Sequence, residues 1–330
     1  MNPAEIPMMP ADGAPPIVVE LLPVAEPVSN RPAPRQTMSY LRNMLRSHGL
    51  EPKNKLGQNF LIDLNLLDLT CRAAELSSTD SILEVGTGTG SLTALMADQA
   101  GCVFSVEVDV DMQRIATYLI ADRPNVQLFL GDALARKNML NQDMLAGWDA
   151  FTVRYKATKR KLVANLPFVI ATPIISNLLI TDPNIERMVV MVQWEIAERM
   201  QATAGSKEYN SLSVLVQSVA DVEIIRKVAP TNFYPKPKVD SAIVLIRPNA
   251  AKRVKVGDVQ KFRNFLRDLY THRRKHIRQA LSNWPTGHKS KSDVDAKLAE
   301  LGIDGTVRSE VLDIEQHLRL CAAFGDERSP

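Results

Sequence analysis

The stretch that most restricts how this chain can fold is Ser81-Ile82-Leu83-Glu84-Val85, followed by Gly86-Thr87-Gly88-Thr89-Gly90 and a helix-forming run through Leu92, Leu95 and Met96. A short apolar run bounded by glycines reads as a buried strand. Glycines at its carboxyl end let the backbone turn sharply and come close to a ligand, as in the first strand-to-helix turn of a doubly wound α/β sheet. The spacing is G-x-G-x-G rather than the G-x-G-x-x-G of dinucleotide sites. No Lys or Arg stands in the loop, which favours a cofactor lacking phosphates, S-adenosylmethionine over NAD.

Three further strands end in residues suited to such a cofactor. Val103 to Val106 runs into Glu107, about 20 residues beyond the glycines, where these folds bind ribose hydroxyls. Val126 to Leu130 runs into Gly131-Asp132-Ala133, and a carboxylate there can accept from a cofactor adenine amine. Lys161 to Ala164 runs into Asn165-Leu166-Pro167-Phe168, with a helix expected from near Thr172 and Pro173. Ligands of open α/β sheets bind outside the carboxyl ends of the strands.

The chemistry of Asn165 to Phe168 suits one task, holding an adenine by its exocyclic amine. The lone pair of that nitrogen is delocalised into the ring. The Asn165 side-chain oxygen and the Leu166 carbonyl can both accept its N–H groups and draw it toward tetrahedral geometry. Pro167 fixes its own φ and biases Leu166 toward extended backbone. Phe168 offers a face on which a base can stack, worth ~1–3 kcal/mol.

With 330 residues the chain is long enough for about two domains. Cys71, Cys102 and Cys321 are widely spaced, and the five histidines form no pair at ligand spacing, so neither a disulfide framework nor a metal site is expected. Residues 1–37 hold nine of the twenty prolines and no periodicity, and read as a disordered tail. No basic segment precedes its apolar patch, so a signal peptide is not expected. The apolar run from Leu162 to Ile180 is broken by Asn165, Pro167, Pro173 and Asn177 and reads as strand, loop and helix, not as a membrane span. A cytoplasmic, monomeric protein fits these features.

The remainder of the first unit, residues 38–248, reads as alternating elements. Met38 to Leu50 and Leu64 to Leu76 are expected helices, with a polar, basic loop between them. Met188 to Val192 is an expected strand, Ile196 to Met200 and Ser211 to Val219 expected helices, and Val222 to Val228 and Ala242 to Ile246 the last two strands. Lys236 and Lys238 stand in a proline-stiffened loop between those strands. Beyond Pro248 the composition shifts: from Lys252 to Lys291 there are twelve Lys or Arg against two acids. Phe262, Phe265, Leu266, Leu269 and Ile277 recur at helical spacing, so one stripe can be buried while a basic face meets phosphates. His272 and His276 read as part of that face, and Val294 to Phe324 as two helices completing a small helical unit, 249–330.

Taken together, the chain resembles the ribosomal RNA adenine N6,N6-dimethyltransferase family, which modifies small-subunit rRNA. The matching segments are Lys55-Leu56-Gly57-Gln58-Asn59-Phe60-Leu61, Glu84-Val85-Gly86-Thr87-Gly88, Gly131-Asp132-Ala133, Asn165-Leu166-Pro167-Phe168, Pro235-Lys236-Pro237-Lys238-Val239-Asp240-Ser241 and Arg273-Arg274-Lys275. Leu301-Gly302-Ile303-Asp304 with Arg308, Glu310 and Leu312 also fits. The resemblance implies an α/β fold, a class I (Rossmann-like) methyltransferase sheet carrying a smaller all-helical C-terminal domain. It implies S-adenosylmethionine as cofactor and dimethylation of two adjacent adenosines in the 3'-terminal hairpin of small-subunit (16S) rRNA, on an immature small ribosomal subunit. Asn59 and Leu61 would close over the cofactor, Gly86 approach its amino-acid part, Glu107 bind its ribose and Asp132 its adenine. Asn165 would sit between cofactor and target base, and Phe168 would stack on that base. Arg273, Arg274, Lys275, Lys236 and Lys238 would contact RNA.

Three positions depart from the family pattern. Phe168 stands where Tyr is common, keeping the π-face and losing the hydroxyl. Trp194 in Gln193-Trp194-Glu195 replaces a lysine. Asn210 stands where glycine is usual, and because Asn tolerates positive φ better than most residues the turn is expected to survive. Other readings stay open: a large-subunit rRNA methyltransferase of the macrolide-resistance type, an N6-adenine DNA methyltransferase, or a ribosome-assembly factor with little catalysis.

Overall fold

The computed structural model describes residues 37–181, 184–284 and 290–325, so of the proline-rich head only Thr37 falls within it. At its centre is a seven-stranded sheet: β1 (Asp80–Val85), β2 (Cys102–Glu107), β3 (Val126–Leu130), β4 (Lys159–Asn165), β5 (Ile185–Gln193), β6 (Ala220–Val228) and β7 (Ser241–Pro248). The order across the sheet is β3-β2-β1-β4-β5-β7-β6, with β1 to β5 parallel and β7 antiparallel to both its neighbours. The direction of winding reverses between β1 and β4, which opens a crevice outside their carboxyl ends.

Helices cover both faces, which is why β1 and β2 are buried along their whole length rather than on one side only. Successive residues still point to opposite sides. Ile82, Val103 and Val163 pack under α2 (Leu64–Ala74) and α3 (Ser91–Ala97). Their neighbours Leu83, Phe104 and Leu162 belong to the cluster under α5 (Gln142–Arg154), α6 (Ala171–Thr181), α7 (Trp194–Gln201) and α8 (Ser211–Val219). A separate small cluster seats α1 (Met38–Ser47), through Leu41 and Leu45, on Phe60 and on Met112 and Ile115 of α4 (Val110–Leu119).

Every strand of the sheet and most helices fall where the sequence places them, within a few residues. Helices α4 and α5 were not anticipated, although Met112, Ile115 and Ala116 bury one helical face of the first and Met144, Trp148 and Phe151 one face of the second. Neither were two short ladders, Phe60–Leu61 against Phe233–Tyr234 and Leu134–Arg136 against Met139–Leu140. The turn before α8 is held in a different way from the one expected. Asn210 has φ −159°, not a positive value, and is the N-cap of α8. Its side chain accepts from the Leu212 N–H while Ser213 returns a bond to the Asn210 N–H, so asparagine is held by capping rather than by a left-handed turn.

After β7 come α9 (Ala250–Val256), α10 (Val259–Thr271), α11 (Ile277–Ser282), α12 (Lys291–Glu300) and α13 (Ile314–Phe324). Phe262, Phe265, Leu266, Leu269 and Ile277 are all buried and join the same apolar core as α6 and α8. Arg253 donates to the carbonyls of Leu179 and Ile180 at the end of α6, where a cation also meets the negative end of the helix dipole. His317 of α13 is fully buried, stacked on Tyr270 and edge-on to Tyr209. Among the described residues, no helix is long and apolar enough to cross a membrane, and no group of three or more His, Cys, Asp or Glu could hold a metal ion.

Candidate active site

The carboxyl ends of β3, β2, β1 and β4, four neighbours in the sheet, surround one cavity of about 230 Å³. Asn59, Leu61, Gly86, Glu107, Asp132, Asn165, Leu166, Pro167 and Phe168 all line it. The structure therefore brings together residues spread over more than a hundred positions. Lys55 is the single Lys or Arg in the lining, and it belongs to the covering loop rather than to the sheet. The five other basic residues lie elsewhere. Lys236 and Lys238 are exposed between β6 and β7, Arg273, Arg274 and Lys275 are exposed between α10 and α11, and none is in an ion pair among the described residues.

The glycines are needed for two separate reasons. Gly86 has φ +90°, and a Cβ there would come within 3.2 Å of the Pro167 ring. The glycine loop and the Asn-Leu-Pro-Phe loop are thus packed against each other at the crevice. Gly88, at φ +55°, would meet the Phe60 ring at 3.3 Å. Beneath them Glu84 is buried, and its Oε2 accepts from Thr93 and Ser105 hydroxyls at 2.6 Å. Burial raises its pKa to about 8 despite those bonds, which favours the neutral form. The Ser105 hydroxyl also lies 2.6 Å from that of Thr87, tying β2 to the glycine loop.

Glu107 is nearly full. Its Oε2 accepts from the Gly88 N–H at 2.9 Å, and its Oε1 from the N–H groups of Val108 and Asp109 at 3.0 and 2.9 Å. A carboxylate has about four acceptor positions, which leaves one, on Oε2, for a ligand hydroxyl. Burial raises its pKa, opposed by those three backbone donors. Asp132 uses Oδ1 to accept from the Leu134 N–H, and its Oδ2 has no protein donor among the described residues. Hydroxyl and amine donors of a nucleoside match this set of unused acceptors. A Cβ-free approach at Gly86 and the absence of a cation from the glycine loop match a ligand without phosphates.

The decisive contact is at Asn165. Its Nδ2 donates to the Asn59 carbonyl at 3.1 Å. A carbonyl can only accept, so the amide orientation is set chemically, with Oδ1 turned away from that bond. Neither Asn165 Oδ1 nor the Leu166 carbonyl has a protein donor among the described residues. The Leu166 N–H is taken by Met191 O at 3.2 Å, which fixes this peptide to β5. Phe168 is half-buried and stacks on no other ring among the described residues.

The family model described as ribosomal RNA adenine dimethylase matches residues 49–324. The chain belongs to the ribosomal RNA adenine dimethylase family. It is 36% identical to a ribosomal RNA small subunit methyltransferase A from Pelotomaculum thermopropionicum over 87% of this chain and 96% of that one. It is 37% identical to the protein of the same name from Moorella thermoacetica, over 83% and 92%. Among solved structures it is similar to a dimethyladenosine transferase from Plasmodium falciparum, with TM-score 0.64, 26% identity and coverage of 79% and 96%. It is also similar to the 23S rRNA methyltransferase ErmE, with TM-score 0.57, 25% identity and coverage of 81% and 99%.

Lys227 Nζ sits 4.5 Å from the centre of the Trp194 ring and 3.0 Å from Asp240, so a cation stands beside Trp194. His276 does not simply face solvent, because its Nδ1 meets the Thr306 carbonyl and it forms a bridge with Arg308. Sequence reasoning missed Asp109, which grips the covering loop through Lys53 and Gln58. Its only signal was its place two residues beyond Glu107.

Proposed function

We propose that this chain uses S-adenosylmethionine to methylate, twice each, the N6 amines of two adjacent adenosines in the 3'-terminal hairpin of small-subunit rRNA. It acts as a monomer on an immature small subunit in the cytoplasm. Residues 38–248 carry methyl transfer and residues 249–330 carry much of the RNA contact. The observation that carries the reading is the pair of unused acceptors, Asn165 Oδ1 and Leu166 O, beside a cavity whose other walls suit a nucleoside. Family membership supports the methyl donor and the adenine.

Bound in the cavity, S-adenosylmethionine supplies a methyl carbon made electrophilic by the attached sulfonium. Glu107 and Asp132 orient that ligand through its hydroxyl and amine donors, and Asn59 and Leu61 cover it. An adenine cannot reach the crevice while stacked in a helix, so the base is flipped out and rests on Phe168. Asn165 Oδ1 and Leu166 O then accept its two N–H groups and aim the nitrogen lone pair at the cavity. No side chain need act as a strong base, because the amine becomes acidic once alkylated and its proton can pass to solvent. Catalysis is positioning and polarisation. For the second transfer one N–H remains, and one of the two acceptors suffices to hold it.

Mass spectrometry of rRNA from a strain lacking the gene tests this reading. The expected result is loss of N6,N6-dimethyladenosine from the small-subunit rRNA alone. Intact small-subunit dimethylation would refute it, and loss from the large subunit would favour the activity suggested by the ErmE likeness.

A further inference from the structure

Among the described residues, side-chain hydrogen bonds fasten residues 53–59 over the cavity at two places, and only one of them touches the catalytic amide. That one is the Asn59 carbonyl, which accepts from Asn165. At the other, Lys53 Nζ lies 2.8 Å from Asp109 Oδ1 and 2.9 Å from Asp111 Oδ2. Gln58 Nε2 donates to Asp109 Oδ2 at 2.8 Å, and Gln58 Oε1 accepts from the Lys53 N–H at 2.7 Å, so the two ends of the turn are closed on each other. Asp109 is only 4% exposed. It caps α4 by accepting from the Asp111 N–H, and its own N–H donates to Glu107 Oε1.

We propose that Lys53 and Gln58 are positioning residues for the methyl donor: by gripping Asp109 they hold the covering loop and the Glu107 carboxylate in their binding arrangement before the cofactor arrives. This rests on the reading of Glu107 as the ribose acceptor. Lys53 is half-exposed, and an isolated surface pair of that kind would contribute little. Here the partner is buried, and losing Lys53 or Gln58 leaves one of its oxygens short of a donor. Burial acts to raise the Asp109 carboxyl, and Lys53 and Gln58 outweigh it and hold it below the usual carboxylate range. Two of the three ammonium donors of Lys53 are spent on these carboxylates. Without the grip, ordering residues 53–59 must be done at the expense of cofactor binding.

The test uses the full-length protein with calorimetric titration of S-adenosylmethionine and steady-state kinetics on under-methylated small subunits. Lys53→Met and Gln58→Leu are expected to raise the cofactor Kd about tenfold, the equivalent of about 1.4 kcal/mol. Turnover at saturating cofactor should stay within about twofold and the KM for RNA should not move. Lys53→Arg, which can still span both carboxylates, should recover most of the affinity. Glu107→Gln is run beside them and should also weaken cofactor binding. If Glu107→Gln does so while Lys53→Met and Gln58→Leu do not, the grip has no positioning role and the ribose reading stands. If Glu107→Gln leaves the Kd unchanged, both ideas fall. A rise confined to the KM for RNA, or lower thermal stability with the cofactor Kd intact, also overturns the proposal.

Discussion

A single hydrogen bond decides what Asn165 can do. Because Nδ2 is spent on the Asn59 carbonyl, the side chain presents an acceptor to the crevice, next to the Leu166 carbonyl. Asn165→Ala removes one acceptor and unfastens the loop at one end. Loss of one aligned polar group in a preorganised site typically lowers turnover by about 10²–10³-fold. We expect methylation to fall at least that far while cofactor Kd changes by only a few fold, measured by single-turnover methylation and calorimetry. Equal loss of both would contradict the assigned role. Asn165, Gly86 and Glu107 were legible in sequence because each sits at a strand end beside a turn signal. The bond that orients Asn165 was not, since its partner lies 106 residues away and neither residue type demands the other. Asp109 was hidden for the same reason.

Among the elements, the glycine loop, the Asn-Leu-Pro-Phe loop and the exposed segment between α10 and α11 do separate jobs. Arg273, Arg274 and Lys275 are exposed there and have no ion pair among the described residues, which leaves them available to phosphates. Reversing all three to glutamate should weaken binding to small-subunit rRNA and reduce the slope of log affinity against log salt by about 2 to 3, roughly 0.7–0.9 per lost phosphate contact. A filter-binding series over salt concentration measures it, and an unchanged slope would remove this segment from the interface. The strands were readable from short apolar runs, because burial on both faces leaves few polar interruptions. Helix α5 escaped because Gln142–Arg154 mixes its apolar face with Asp143, Gly147 and Asp149. The Phe60–Leu61 ladder escaped because two residues carry no periodicity and its partner, Phe233–Tyr234, lies far along the chain.

Over the whole molecule, the helices after Pro248 share one apolar core with the sheet. His317 marks the seam. Its Nδ1 lies 2.7 Å from the Asp313 carbonyl and so must carry the proton, leaving Nε2 to face the Tyr270 hydroxyl at 3.3 Å. Burial lowers its pKa to about 4, against the opposing pull of Asp313. The unfolded chain therefore takes up a proton that the folded one refuses, and the stability associated with neutral His317 is present above about pH 6.5 and lost as pH falls toward about 4. Thermal melting of His317→Gln should vary less across that window than that of the unsubstituted protein, and identical pH slopes would show that His317 does not titrate across folding. The shift from an apolar sheet to a basic, periodic segment was visible in composition, whereas the fusion of both into one core depends on Arg253, Tyr209 and His317 meeting partners remote in sequence.

The central claim is that the Asn165 and Leu166 oxygens draw the amine of an unstacked adenine toward the methyl donor. Incubation of purified protein and S-adenosylmethionine with small subunits from a methylation-deficient strain, followed by mass spectrometry of the digested rRNA, tests it most directly. The account predicts N6,N6-dimethyladenosine at two adjacent positions with the unsubstituted protein and none with Asn165→Ala. Subunits whose adenosines stay unmodified, or are modified equally by both proteins, would contradict it.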